Sequence, residues 1–162
     1  MITIEKASSF DALTIHKLVH QIYYPTYKDI LSKDQIDFML EKSYTVNALQ
    51  NAMSEGQDFY VMAKDDDPLG FMAVTEKSEE ILRIEKLYLL PETQGLGLGK
   101  KFITFAVEEA KNRKKSLLEL NVNRGNKAYF FYLKQGFLVT QEIDIPYYGY
   151  ILDDYVMQKI VL

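Results

Sequence analysis

The sequence contains no cysteine and no tryptophan. Without cysteine there is no disulfide framework, no thiolate-rich zinc site and no cysteine nucleophile to carry an acyl group. Glycine and proline are sparse, at 8 and 4 of 162 residues, and nowhere do they gather into a linker. A chain of this length without repeats or low-complexity segments reads as one domain over residues 1–162, long enough to bury a sizeable core. No apolar run approaches the length of a membrane span, and "MITIEKASSF" lacks the apolar core of a signal peptide. No membrane association and a cytoplasmic location are therefore expected. The net charge of −4 leaves no basic footprint, which argues against nucleic acid as a partner. His16 and His20 are spaced as a metal pair, but "HKLVH" lacks the glutamate of a zincin and no third ligand is evident. They read as structural, and no metal is expected.

What is present changes period along the chain. "ITIEKA" alternates as a first strand, and Ser8 with Asp11 resembles a capping box opening a helix to about Tyr23. Pro25 separates that helix from a second, opened by Ser32 with Gln35 and running towards Met53 until Gly56 stops it. "DFYVMAK" and "LGFMAVTEK" flank the turn-rich "DDDP" as a hairpin, and "ILRIEKLYLL" reads as a long central strand. Ile103, Ala106, Val107 and Ala110 then recur at helical spacing. "SLLELNVN" follows as a strand, "NKAYFFYLKQ" as a short helix stopped by Gly136, and "FLVTQEIDI" with "YVMQKIVL" as a closing antiparallel pair. The predicted order is β-α-α-β-β-β-α-β-α-β-β, a mixed α+β sheet.

The stretch "PETQGLGLGKKF", from Pro91 to Phe102, places three alternating glycines between the central strand and a helix. A Walker A loop ending at Gly99-Lys100 would need glycine where Gln94 stands and a hydroxyl residue where Lys101 stands. A dinucleotide fingerprint would need glycine at Lys100 and an earlier place in the chain. What survives is a strand, a glycine-rich turn and a helix N-terminus, whose free N–H groups suit an anion. A merely tight turn is the competing reading.

The spacing Gln94-x-x-Gly97-x-Gly99 after "LYLLPE" resembles the signature of the GNAT superfamily, the acyl-CoA-dependent N-acyltransferases. "NVNRGNKAYFFYLKQGF" resembles the family's Asn-x-x-Ala-x-x-Phe-Tyr-x-x-x-Gly-Phe segment, although Asn126 lies two residues before Ala128 where three is common. The tail "YYGYILDDYVMQKIVL" is similar to the closing hairpin of small bacterial members, some of polyamine type. The resemblance implies a mixed, mostly antiparallel sheet, splayed near residue 89, with helices on both faces. It implies acetyl-CoA as cosubstrate, its pyrophosphate held by the N–H groups of Gln94, Gly95, Leu96, Gly97, Leu98, Gly99 and Lys100. The pantetheine arm would pair with the main chain of Leu87, Tyr88 and Leu89 like an added strand, with Asn126 and Tyr129 also on the cofactor side. A homodimer through C-terminal strands is a further implication that no residue here specifies.

Acetyl transfer to an amine needs a proton removed from the amine and one supplied to the leaving thiolate. By the resemblance Tyr132 is the acid; the competing reading is a helix tyrosine packed in the core. Glu85 is chosen as base, acting through water, because "RIEKLY" sets charge into an apolar strand; the competing reading is an ion pair with Arg83. The Leu87 N–H is the expected oxyanion donor. Asn126 reads equally as a helix cap. Tyr23, Tyr24 and Tyr27, and Tyr147, Tyr148 and Tyr150, form two clusters on the expected acceptor side. Tyr24, Tyr27 and Tyr148 are taken as acceptor-binding, with Asp153 and Asp154 suited to a cation; ordinary packing and a surface turn compete. The resulting expectation is direct acetylation of a primary amine, a small amine or polyamine. A protein N-terminal or lysine acetyltransferase, a non-catalytic acyl-CoA sensor and a nucleotide-binding protein are the rivals.

Overall fold

The computed structural model describes residues 1–161; Leu162, the last residue of the predicted closing strand and of the predicted domain, lies outside the described residues. Its strands are β1 (Ile2–Lys6), β2 (Asp58–Lys64), β3 (Asp67–Glu76), β4 (Ile81–Leu89), β5 (Leu117–Asn123), β6 (Leu138–Tyr147) and β7 (Tyr150–Ile160). Its helices are α1 (Ala12–Tyr27), α2 (Lys33–Ser43), α3 (Val46–Ser54), α4 (Leu98–Asn112) and α5 (Ala128–Lys134). The strands form one sheet in the order β1-β2-β3-β4-β5-β7-β6. β1–β2, β2–β3, β5–β7 and β6–β7 are antiparallel and β4–β5 is parallel, so the expected mixed α+β sheet is present. Among the described residues no helix is long and apolar enough to cross a membrane.

The chain divides into two compact units, one of Met1–Thr75 with Lys86–Gly99 and one of Glu76–Glu85 with Lys100 onward. In the first, the Ser8–Asp11 capping box is formed, but it opens a 3₁₀ turn at Ser9–Asp11 that leads into α1. Ala12, Ile15, Leu18, Val19, Ile22 and Tyr23 recur at helical spacing and are buried, giving α1 its core face. Pro25 does not separate two helices: it lies inside α1, which runs on to Tyr27. The N–H it lacks falls in the last turn, where Lys28 N–H still reaches the Tyr24 carbonyl at 2.9 Å. The predicted second helix is likewise two helices. Ser32 caps α2, accepting from Gln35 N–H at 3.1 Å. The helix ends at Ser43 with Tyr44 as its C-cap, and Thr45, extended at φ −69° and ψ 159°, caps α3 by accepting from Ala48 N–H. A buried Tyr44 and a competent cap at Thr45 outweigh the continuous helical period. The β2–β3 turn is made by Asp65 and Asp66, both at positive φ (50° and 70°).

In the second unit α4 buries Phe102, Ile103, Ala106 and Ala110. Gly136 ends the α5 region at φ +92°, and Tyr148 with Gly149, at φ 48° and 86°, turns β6 into β7. Strand alternation sorts side chains by parity. Leu82, Ile84, Leu118, Leu120 and Val122 are buried on one face, while Arg83, Glu85, Glu119 and Asn121 share the other. The β4–β5 ladder runs only from Ile81↔Leu117 to Ile84↔Leu120, although both strands continue. The expected parting of neighbouring strands thus begins at Glu85, earlier than residue 89.

Candidate active site

In the second unit Glu85 is the first β4 residue beyond the paired ladder. Its carboxylate accepts from Arg83 Nε at 2.5 Å, so the ion pair weighed against the catalytic reading is formed. Arg83 Nη1 donates at 2.9 Å to both Glu119 Oε1 and Asn121 Oδ1. Asn121 Nδ2 in turn donates to Asp154 Oδ2 at 3.3 Å. Glu119, 2% exposed on β5, also accepts from Lys77 Nζ at 2.6 Å and Gln158 Nε2 at 2.8 Å. Burial pushes its carboxyl up, but the hydrogen bonds from Lys77, Gln158 and Arg83 outweigh it and hold it below the usual range. Asp154 goes the other way: burial raises it, with Asp153 adding to the rise and Asn121, Arg83 and Arg124 offsetting part of it.

Tyr132, on α5, is 8% exposed and packs against Phe131 and Phe137. Burial alone pushes its phenol up to about 12. At rest it therefore stays protonated across the neutral range, available as a hydrogen-bond donor. Asn126 Oδ1 accepts from Ala128 N–H, the first of α5, at 2.9 Å, although the residue flanking the helix is Lys127, which caps nothing with its side chain. Tyr129 packs against Tyr155 with ring centroids 5.0 Å apart and the rings tilted by 36°. Tyr148, 63% exposed, sits at the tip of the β6–β7 hairpin beside Tyr147, and Lys100 is exposed in the first turns of α4.

In the first unit Leu87, Tyr88 and Leu89 are half-buried at the end of β4. The Tyr88 and Tyr27 hydroxyls are 2.8 Å apart, so the structure brings a residue expected on the cofactor strand against one expected on the acceptor side. Tyr44 packs beside them, its ring centroid 5.2 Å from that of Tyr23. Burial, then the neighbouring Tyr23 and Tyr27, push both Tyr44 and Tyr88 well above the ordinary phenol value. Tyr24 is half exposed, outside this cluster of rings. In the loop after β4, Gly95 and Gly97 take φ of +80° and +73°, and a Cβ at either would meet nothing. Left-handed backbone, rather than lack of room, requires glycine there. The N–H groups of Gln94 and Leu96 already donate to Pro91 and Thr93 carbonyls, both at 3.3 Å, which closes the loop on itself. Gly99 lies in the first turn of α4.

Three residues near these positions were not singled out from the sequence. Glu119 is a charge within the apolar strand "LLELNV", the same signal that marked Glu85. Gly70 is a lone glycine within a strand, and a Cβ there would lie 2.4 Å from the Tyr88 carbonyl oxygen. Tyr44 carries no local signal, because its role depends on where the α2–α3 junction falls. His16 Nδ1 lies 2.7 Å from the Tyr44 carbonyl oxygen, which ties α1 to that junction.

A sequence model of the acetyltransferase (GNAT) domain matches residues 27–145. A spermidine N(1)-acetyltransferase of Thermoplasma acidophilum is 31% identical over 148 residues, covering 85% of this chain and 89% of that protein. The peptidyl-lysine N-acetyltransferase YjaB of Salmonella typhimurium is 30% identical over 98 residues, 60% of this chain and 61% of that protein. Among solved structures, the PaiA N-acetyltransferase of Thermoplasma acidophilum in complex with coenzyme A superposes with a TM-score of 0.85 at 26% identity over 99% of both chains. The family model spans well over half of the sequence and one relative matches most of both chains, so this protein belongs to the GNAT acetyltransferase family and is an N-acetyltransferase of the acyltransferase class.

Proposed function

We propose that residues 1–162 form one catalytic domain that transfers the acetyl group of acetyl-CoA directly to a primary amine of a small molecule, with a polyamine as the favoured acceptor. The observation that carries the reading is the end of the β4–β5 ladder at Ile84↔Leu120, which frees main-chain groups of β4 for the amides of a pantetheine arm. The left-handed glycines fit the same ligand, since Gly95, Gly97, Leu98, Gly99 and Lys100 are left as N–H donors for its pyrophosphate once Gln94 and Leu96 are discounted. Acetyl-CoA supplies an activated thioester. The polyamine acceptor is supported by the spermidine acetyltransferase matched over 85% of this chain.

In this reading the amine nitrogen forms the new C–N bond and the C–S bond breaks. Glu85 takes the amine proton through water, and Tyr132 donates a hydrogen bond and then a proton to the departing sulfur. A phenol pushed up to about 12 is a weak proton source for a thiolate whose ordinary pKa is about 8.5. Its first contribution is therefore the hydrogen bond, made by a donor that burial keeps neutral. The Leu87 N–H stabilises the oxyanion. Tyr24, Tyr27 and Tyr148 contact the acceptor, and Asn126 and Tyr129 the cofactor. Initial-rate assays with acetyl-CoA against spermidine, a monoamine and a lysine peptide test this. Polyamine turnover at least tenfold above peptide, with no acetyl-enzyme burst, is the expected result. Peptide turnover alone, or a thermal shift with acetyl-CoA and no turnover of any amine, would replace the reading.

A further inference from the structure

We propose that Glu119 is a positioning residue for acetyl transfer: through the Arg83 guanidinium it fixes the Glu85 carboxylate at the point where β4 leaves its partner strand. The proposal rests on the reading of Glu85 as the base. Arg83 and Glu119 are register partners in the paired part of the ladder, one step before it ends. Glu85 is the first residue past that end. The fork of Arg83 spans the two regions: Nε holds Glu85 at 2.5 Å, and Nη1 holds Glu119 and Asn121, both at 2.9 Å. A side chain at the mouth of an opening strand would otherwise be free to rotate, so its aim has to come from a fixed neighbour.

Glu119 is that fixed point. It is 2% exposed, and its two oxygens are held by Lys77, Arg83 and Gln158, from three different segments of the unit. Such a buried ionic set is a poor device for stability alone, because apolar residues of similar volume often do as well. It is a good device for direction, since a planar fork bonded at three acceptors has one orientation. Glu119 and Glu85 thus share one guanidinium, each bonded to a different edge of it. The other charged groups on these strands are Lys86 on β4 and Asp153, Asp154 and Lys159 on β7; Lys77, which bonds Glu119 directly, and Arg124 lie just outside them.

Four variants test this: Glu119→Gln, Arg83→Lys, Glu85→Gln and the double Glu85→Gln/Glu119→Gln. Each is assayed for kcat, for KM of acetyl-CoA, for the pH profile of kcat/KM and for thermal unfolding. Glu85→Gln loses roughly 100-fold or more in kcat and the acidic limb of the profile. Glu119→Gln and Arg83→Lys each lose about 10- to 100-fold in kcat with KM for acetyl-CoA unchanged, as misaimed groups do. In the Glu85→Gln background the Glu119→Gln change has no further kinetic effect. Arg83→Lys keeps the positive charge and decides the matter if Glu119→Gln fails to fold. If both single variants keep wild-type kcat per folded molecule, Glu119 serves the fold only and the proposal is overturned. If Glu85→Gln keeps its activity and profile, the reading of Glu85 as base has failed and the proposal goes with it.

Discussion

Each unit of the chain holds one polar cluster, and the two are made of opposite chemistry. In the first, Tyr23, Tyr27, Tyr44 and Tyr88 pack ring against ring, and the hydroxyls of Tyr27 and Tyr88 meet at 2.8 Å. In the second, Lys77, Arg83, Glu85 and Glu119 form ion pairs, with Asn121 and Gln158 completing the hydrogen bonds. A hydroxyl is donor and acceptor at once, so tyrosines satisfy one another without charge, and burial only strengthens their hold on the proton. A carboxylate in the same sheet keeps its charge only because several donors converge on it. The first cluster is therefore indifferent to acid and fails at high pH, while the second behaves in the reverse sense.

The largest predicted effect breaks the second cluster. Glu119→Ala leaves Arg83 and Lys77 without their buried acceptor and lowers unfolding stability in urea by about 3 kcal/mol. Because Glu119 is held below its ordinary range, its contribution is fully present above about pH 4.3 and is lost as the pH falls through its native value. The stability gap between wild type and the variant should thus narrow in acid. A gap that persisted at pH 3 would show that Glu119 matters by shape rather than by charge.

Tyr132 supplies the next test, since it is a lone buried phenol within the ionic unit. Its native value of about 12 exceeds the unfolded value of about 10, so stability is whole below pH 10 and declines as the pH approaches 12. Over that window Tyr132→Phe should lose about 2 kcal/mol less than wild type, while its kcat at neutral pH falls by about 100-fold. Next in size is Tyr88→Phe, which removes one hydroxyl from the first cluster and with it the bond to the Tyr27 hydroxyl. It costs about 1 kcal/mol at neutral pH and is unaffected by salt, whereas the Glu119 network weakens as salt rises. A salt-sensitive Tyr88 effect would remove the contrast between the two clusters.

Much of this was legible in the sequence, and the reason differs by element. The hairpin turn at Asp65–Asp66, the glycine stops and the core face of α4 follow from local rules, since a turn or a helical period is decided by a few neighbours. Glu85 and Glu119 carry the same local sign, a charge in an apolar strand, but only the register that sets Arg83 opposite Glu119 distinguishes them. The tyrosine cluster was not legible as a cluster, because its members come from α1, the α2–α3 junction and β4. The helix break at Tyr44 fell between, present in the sequence as Thr45 but hidden by an unbroken helical period.

That break gives the smallest prediction and links back to the first cluster. Thr45 accepts from Ala48 N–H at 3.1 Å and turns the chain so that Tyr44 is buried against Tyr23. Thr45→Ala should cost about 1 kcal/mol, the usual loss for a cap, whereas Thr45→Asp, which preserves the acceptor, should cost little. If the cap does no more than end an orphaned helix, the alkaline transition of the tyrosines is untouched. If it sets the Tyr44 position, Thr45→Ala also moves the 295 nm phenolate titration to lower pH, because a tyrosine drawn towards solvent gives up its proton more readily. The hydroxyl cluster would then depend on a helix cap, just as the ionic cluster depends on a strand register.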